Sequence, residues 1–253
     1  MKNLLLASAA LSLGSCTVYT PMKCAAPNIR DRGEVEVAAT LNANFRAEGA
    51  VTYSPVKHVL VRAAGGFRNG LPDDNATDTT FFRVRQFELA AGGYYCPTNR
   101  LVIGGLGGYG RAHNRRGFID SDGLLGPRTS IDERWRVYDA RYYTIFGEFF
   151  AVFQGRIMGG GGALRVTDVQ FDALTNRGLP VGLSSMLRVE PMGFLRINPT
   201  ADAGNFLQIQ VAGGASWTSD NGRLGDTYAE NTREGNLQLS VSLLFYPHQL
   251  WRK

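Results

Sequence analysis

Beyond its first residues the chain has no long apolar run: no second stretch approaches the ~18 residues that a membrane-crossing helix requires. Charge is also scarce. Lysine, arginine, aspartate and glutamate make up 19% of the 253 residues, below the ~25% of an average soluble protein. The net charge is +5, but the arginines are scattered and no basic run is interleaved with aromatics, so nucleic acid is not an expected partner. The three histidines, His58, His113 and His248, are too few and too far apart to have metal-ligand spacing, so neither a metal nor a cofactor is expected. Only three cysteines are present, Cys16, Cys24 and Cys96.

What the chain has in excess is glycine, 31 residues or about 12% against a usual ~7%, together with ten Tyr, fourteen Phe and three Trp. This composition suits short, closely paired strands. At the N-terminus, Lys2 precedes an apolar run from Leu4 to Leu13, which ends in Leu13-Gly14-Ser15-Cys16. The run is too short to span a bilayer. It reads as a lipoprotein export signal over residues 1–15, with Cys16 lipidated and left as the mature N-terminus. An ordinary cleaved signal with an incidental cysteine is the alternative. Cys24 and Cys96 then form an even pair in an oxidising compartment, a candidate disulfide.

Residues 16–33 read as an extended, proline-containing tether. From Glu34 onward the dominant period is two. Val35, Val37, Ala39, Leu41, Ala43 and Phe45 alternate with mostly polar neighbours, and the pattern recurs at Val59–Phe67, Phe87–Tyr95, Leu207–Trp217 and Leu237–Phe245. Ten strands are predicted, near 34–45, 48–54, 58–68, 80–95, 100–111, 133–152, 157–171, 184–196, 205–217 and 235–246, with a tail at 247–253. From the second strand onward, tight turns (54–58, 96–99, 154–156) alternate with long polar loops (69–79, 112–132, 172–183, 218–234). The connection at 197–204 is of moderate length. The first connection, near Arg46 and Ala47, is short where the rule would make it long.

Short turns at one end, long loops at the other and an even strand count are the pattern of a transmembrane β-barrel. In lipid every backbone group must pair and no sheet edge can stay open, so successive hairpins closing on themselves are the available β solution. The expected fold is therefore all-β: an antiparallel up-and-down barrel of about ten strands, with eight or twelve as alternatives, over residues 34–246. Alternation does not say which face is wet. Charged residues in mid-strand, Glu34, Glu36, Arg62, Glu88, Arg165, Arg188 and Glu190, suit a lumen charge network. Phe45, Phe67, Tyr95, Trp217 and Phe245, near strand ends, suit aromatic girdles. A barrel of this size is about wide enough for side chains or one small ligand, and Phe146 and Phe150 are candidates to fill it. A tethered, soluble, lipocalin-like barrel would instead turn the Val35/Leu41/Val61/Leu89/Leu239 face inward around a hydrophobic ligand.

Other motifs have plainer readings. Gly105-Leu-Gly-Gly-Tyr-Gly110 spells G-x-G-x-x-G, but the polar stretch after it carries no helical stripe to receive a dinucleotide. Its glycines, like Gly159 to Gly162, suit bulky neighbours packed across adjacent strands. Asp73, Asp74 and Asp78 could hold a calcium ion but read better as a solvated loop. Asn75-Ala-Thr77 is a glycosylation sequon without meaning in a bacterium. His113 with Asp120 or Asp122 is the arrangement that a lipid-modifying enzyme would use.

The stretch from Ala50 to Phe67 (AVTYSPVKHVLVRAAGGF) resembles a hairpin of small predicted outer-membrane β-barrel lipoproteins of the Bacteroidota. The lipobox, Arg85–Tyr95 and Arg141–Phe146 add to the likeness. Leu237–Tyr246 is similar to the aromatic-terminated final strand read by barrel-assembly machinery, although here the chain continues to Lys253. The resemblance implies a barrel in the outer membrane, anchored by lipid at Cys16 and delivered by barrel-assembly and lipoprotein-sorting machinery. It brings no activity and no site residues with it. The expected role is a non-enzymatic envelope or surface component.

Overall fold

The computed structural model describes residues 18–70, 81–119, 135–201, 205–219 and 235–250. Eleven strands follow in order: β1 Val35–Asn42, β2 Ala47–Tyr53, β3 Val59–Asn69, β4 Phe81–Thr98, β5 Leu101–Ile119, β6 Trp135–Gln154, β7 Met158–Asn176, β8 Leu179–Pro180, β9 Ser185–Ile197, β10 Leu207–Thr218 and β11 Asn236–Phe245. The sheet order is β6-β5-β4-β3-β2-β1-β11-β10-β9-β7-β8, and β6 also pairs with β7. The sheet therefore closes on itself as an antiparallel barrel of ten strands, with the two-residue β8 a side branch on β7. The seam between the chain ends is the β1–β11 pair, running from Val37 opposite Phe245 to Asn42 opposite Ser240.

Alternation sorts side chains to two environments. Leu89 is 56% exposed and Leu239 53%, and Leu41 and Val61 also point outward, while Glu36, Arg62, Glu88 and Ser240 are buried inside. A soluble lipocalin-like barrel needs the opposite orientation, so that alternative is overturned. Around the outside, Phe87, Leu89, Tyr95, Ile103, Tyr109, Ile145, Phe149, Leu164, Leu195, Val211 and Val241 form a continuous apolar belt. On β5 it runs from Leu101 to Tyr109, nine residues by the numbering. At ~3.3 Å per residue and ~40° tilt that is roughly 23 Å of height.

β4 to β7 continue well above the belt. β5 reaches Ile119 and β7 reaches Asn176, past the predicted ends at 111 and 171. The apolar alternation stops there and backbone pairing does not. Outward positions become Arg85, Arg111, His113, Arg115, Arg141 and Asp139. An antiparallel ladder held on both sides needs no hydrophobic face to persist, so periodicity underestimates its length.

Glycines at the predicted motif serve the wall. Gly104 faces Phe150 and Gly108 faces Phe146 across the β5–β6 ladder. A β-carbon at Gly104 would lie 2.5 Å from the Phe150 ring, and one at Gly108 would overlap the Phe146 ring. The missing side chains let both rings lie flat inside the barrel.

Candidate functional site

The residues before β1 do not form an external tether. Every residue from Val18 to Ile29 is buried, and the segment runs inside the barrel along its length. At the long-loop end, Asn114 Nδ2 donates to the Val18 carbonyl at 2.9 Å and to Thr20 Oγ1 at 3.1 Å. Arg46 Nη2 donates to the Pro21 carbonyl at 2.6 Å. Midway, the Lys23 amide donates to Glu48 Oε2 at 3.0 Å and Lys23 Nζ to Ser242 Oγ at 2.6 Å. Arg196 donates to the Ala26 carbonyl. Towards the tight-turn end the Asn28 amide meets Glu36 Oε2 at 3.0 Å, and Arg30 Nη1 reaches the Asn99 carbonyl at 2.6 Å. The chain then reverses through Asp31, Arg32 and Gly33. Gly33 sits at φ +80°, a left-handed conformation that suits glycine, and its amide is held by the Ser54 carbonyl at 2.8 Å.

Two apolar clusters grip this segment. Cys24, Ala25, Ala26 and Ile29 pack with Leu60, Tyr94, Val102, Leu106, Phe150 and Phe194 in the turn-side half. Val18 and Tyr19 pack with Phe118, Tyr138, Tyr142, Val169 and Met186 in the loop-side half. Signals for this placement were present in the sequence. Between Val18 and Ile29 the only charge is Lys23, and seven of the twelve positions are apolar. A solvated tether has no use for that composition.

Charges lie between and around the clusters. All seven network residues expected from the sequence, Glu34, Glu36, Arg62, Glu88, Arg165, Arg188 and Glu190, are buried and inward. Their contacts gather around Arg165 and around Glu190. Arg165 is the hub: Nη1 lies 3.0 Å from Glu88 Oε1 and Nε 2.8 Å from Glu148 Oε2. Arg62 approaches Glu88 at 3.5 Å. Glu190 is held instead by Thr167 and Ser216, and Arg188 Nε donates to Ser216 Oγ at 3.0 Å. Glu36 accepts from Tyr246 Oη at 2.7 Å, and Glu34 from the Arg30 amide at 2.7 Å.

Sequence reasoning missed Lys23, Arg46, Glu48, Glu148 and Arg196. With these included, the buried charges among the described residues are Glu34, Glu36, Glu48, Glu88, Glu148 and Glu190 against Lys23, Arg46, Arg62, Arg165, Arg188 and Arg196. The signs balance, and Lys23 from the N-terminal segment completes the balance. Two small cavities lie beside the segment. A cavity beside Lys23, Glu36 and Arg62 measures about 20 Å³, and one beside Cys24, Glu190 and Gly214 about 10 Å³. That is room for single waters.

The candidate disulfide does not form: Cys24 and Cys96 are free thiols. Threading the segment carries Cys24 to the middle of the barrel, where its Sγ lies 3.7 Å from the Glu190 carbonyl on β9. Cys96 stays on β4, at the margin of the apolar cluster that holds Cys24.

His113 faces outward above the belt, with Nε2 3.0 Å from Asp139 Oδ1. Its proposed partners Asp120 and Asp122 lie outside the described residues, as do Asp73, Asp74, Asp78, Asn75, Thr77 and Cys16. Arg85, His113 and Arg141 are directly opposite one another on β4, β5 and β6. The row places an arginine on each side of His113 just past the belt. Among the described residues, no group of three or more His, Cys, Asp or Glu could hold a metal ion.

No protein-family profile matches the chain, and no curated protein matches it. Solved structures do. The outer membrane protease OmpT from Escherichia coli is similar at 10% identity and TM-score 0.44, covering 85% of this chain and 91% of that one. The translocator domain of the autotransporter NalP from Neisseria meningitidis is similar at 11% identity and TM-score 0.39, covering 96% and 93%.

Proposed function

We propose that the protein is a lipoprotein of the outer membrane whose barrel crosses the bilayer as a closed, non-conducting wall. In this reading it is a non-enzymatic envelope or surface component of the type its hairpin and lipobox resemble. The observation that carries the reading is the inside-out polarity. An uninterrupted apolar belt of roughly membrane thickness surrounds a lumen of buried charges, balanced in sign and threaded by residues 18–29. Membrane lipid is the partner of the belt. The row Arg85–His113–Arg141 lies where phosphate headgroups would meet it. Barrel-assembly and lipoprotein-sorting machinery would deliver the chain, the former acting on the β1–β11 seam and the latter on Cys16.

The test compares mobility in SDS before and after boiling, together with resistance to alkaline carbonate extraction after Cys16→Ser. A heat-dependent shift and retention in the membrane support a lipid-embedded closed barrel. Release of that variant as a soluble, unshifted protein overturns it. For the non-enzymatic part, intact lipid profiles of cells carrying His113→Ala and of the parent should be identical. A lipid species lost with His113 would convert the reading into that of a lipid-modifying enzyme.

A further inference from the structure

The direction of the buried segment has a consequence for the anchor. β1 begins, and β11 ends, at the tight-turn end of the barrel, where Gly33 pairs with Ser54. An anchor in the leaflet at that end would need no passage through the barrel. Instead the chain folds back at residues 31–33 and climbs the lumen, so that Val18 lies at the level of Asn114. On β5, Asn114 is five residues past Tyr109, where the apolar belt ends. Cys16 precedes Val18 by two residues, a reach of at most ~7 Å. Returning Cys16 to the tight-turn end would require a second pass along a lumen in which residues 18–29 already lie buried against Leu60, Phe150, Tyr142 and Val169.

The barrel also has a place for the chain to leave. Of the connections between successive wall strands at the long-loop end, the β1–β2 turn is the shortest, with only residues 43–46 between the strands. This is the connection that broke the alternation of turn lengths in the sequence. The structure puts the segment directly beside it, since Arg46 holds the Pro21 carbonyl. At the tip, Phe45 is 79% exposed and held at φ +59°. This conformation is costly for a bulky residue, and it points an aromatic ring outward at the upper end of the belt, the level of a bilayer interface.

We propose that the lumen is a conduit for the N-terminus. The lipidated Cys16 emerges over the β1–β2 turn and inserts its acyl chains in the leaflet on the long-loop side, against the Leu41, Leu237 and Leu239 face. The proposal rests on the lipoprotein reading above and adds the leaflet to it. It also orders assembly. Acyl chains could pass only by displacing the two apolar clusters packed on residues 18–29, so the segment is in place before the β1–β11 seam closes around it.

The test places a short epitope between Thr17 and Val18 of the full chain. Reference epitopes go within residues 219–234, a long loop, and within the tight turn 54–58. Antibody is applied to intact and to permeabilised cells. The proposal expects the Thr17 epitope to follow the 219–234 reference; an epitope that follows the 54–58 reference overturns it. Labelled palmitate is followed in parallel. If the label is absent, or persists in Cys16→Ser, the anchor reading fails, while the epitope still decides the threading. Because an insertion can dislodge the segment, a second variant carries Thr20→Cys and Asn114→Cys with Cys24 and Cys96 replaced by Ser. Oxidation should join the two new thiols and shift the boiled, non-reduced band. No crosslink in a barrel that retains its heat-dependent mobility overturns the threading.

Discussion

The outer and inner faces of this barrel use the same strands and alternate residues, yet they obey different rules. In the membrane reading proposed above, outward side chains such as Leu89, Val211 and Val241 need only be apolar, because lipid is a fluid that accepts any shape. Inward side chains have named partners. Arg165 is fixed by Glu88 and Glu148, and Asn114 by Val18, Thr20 and Tyr142. The outer face is a solvent preference, and the inner face is an assembled core with a backbone segment at its centre. Substitutions should therefore be tolerated by chemical class outside and by individual identity inside.

The largest effect should come from emptying the inner face. Replacing residues 18–29 with a Gly/Ser stretch of equal length removes Val18, Tyr19, Met22 and Ile29 from contacts worth roughly 1.5–3 kcal/mol each. It also removes Lys23 from the charge balance. The outer belt is untouched, so the barrel should still enter membranes. In a planar bilayer the parent should pass no current and the variant should conduct. A silent variant would mean that side chains from the wall alone close the lumen.

Next in size is Arg165→Met. It leaves the Glu88 and Glu148 carboxylates buried without their shared cation, and breaking such a pair typically costs about 3–5 kcal/mol. The temperature at which the unboiled band disappears should fall accordingly. Adding Glu88→Gln and Glu148→Gln to Arg165→Met should restore much of the loss, since the penalty lies in the abandoned charges. An outward arginine, Arg115, replaced by Met should leave that temperature unchanged. This contrast separates the two faces at equal change in residue type.

The two faces were unequally legible in the sequence, for a physical reason. Period-two alternation reports a local preference, so the ten strands and the apolar set containing Leu41, Val61 and Leu89 could be read directly, but not the side of the wall to which that set points. The inward charges were recognised where a strand pattern framed them, as with Glu88 and Arg165. Arg46 ends a turn and Glu48 opens the strand after it, and Glu148 sits between phenylalanines, so no pattern singled them out. The path of residues 18–29 was not legible, because the segment makes no ladder of its own. Its partners Asn114, Ser242 and Glu190 are distant in sequence, and only closure of the barrel brings them together.

Reversing the outer rule should have a middling effect. Val241 pairs with Leu41 and Val211 near the middle of the belt. Val241→Arg should cost about 2–4 kcal/mol, the penalty for a cation at the midplane of a barrel, whereas Val241→Leu should cost nothing measurable. Unfolding from lipid vesicles in denaturant reads both. Equal stability of the two variants would show that this face does not meet hydrocarbon.

The smallest expected effect tests where the two faces meet, in the thickness of the wall itself. Gly104 occupies an inward position, but its lack of a side chain serves the neighbouring Phe150, whose ring lies where a β-carbon would be. Gly104→Ala should displace that ring and cost about 1–3 kcal/mol, as overpacking does. Pairing it with Phe150→Leu should recover part of the cost, since the branched side chain need not lie over the strand. Gly147 is outward on β6, and a β-carbon added there would meet nothing within 4 Å, so Gly147→Ala should be silent in the same unfolding measurement. A penalty at Gly147 equal to that at Gly104 would mean that glycine is needed along these strands for backbone curvature and not for the rings, and the inner face would lose its claim to the tighter rule.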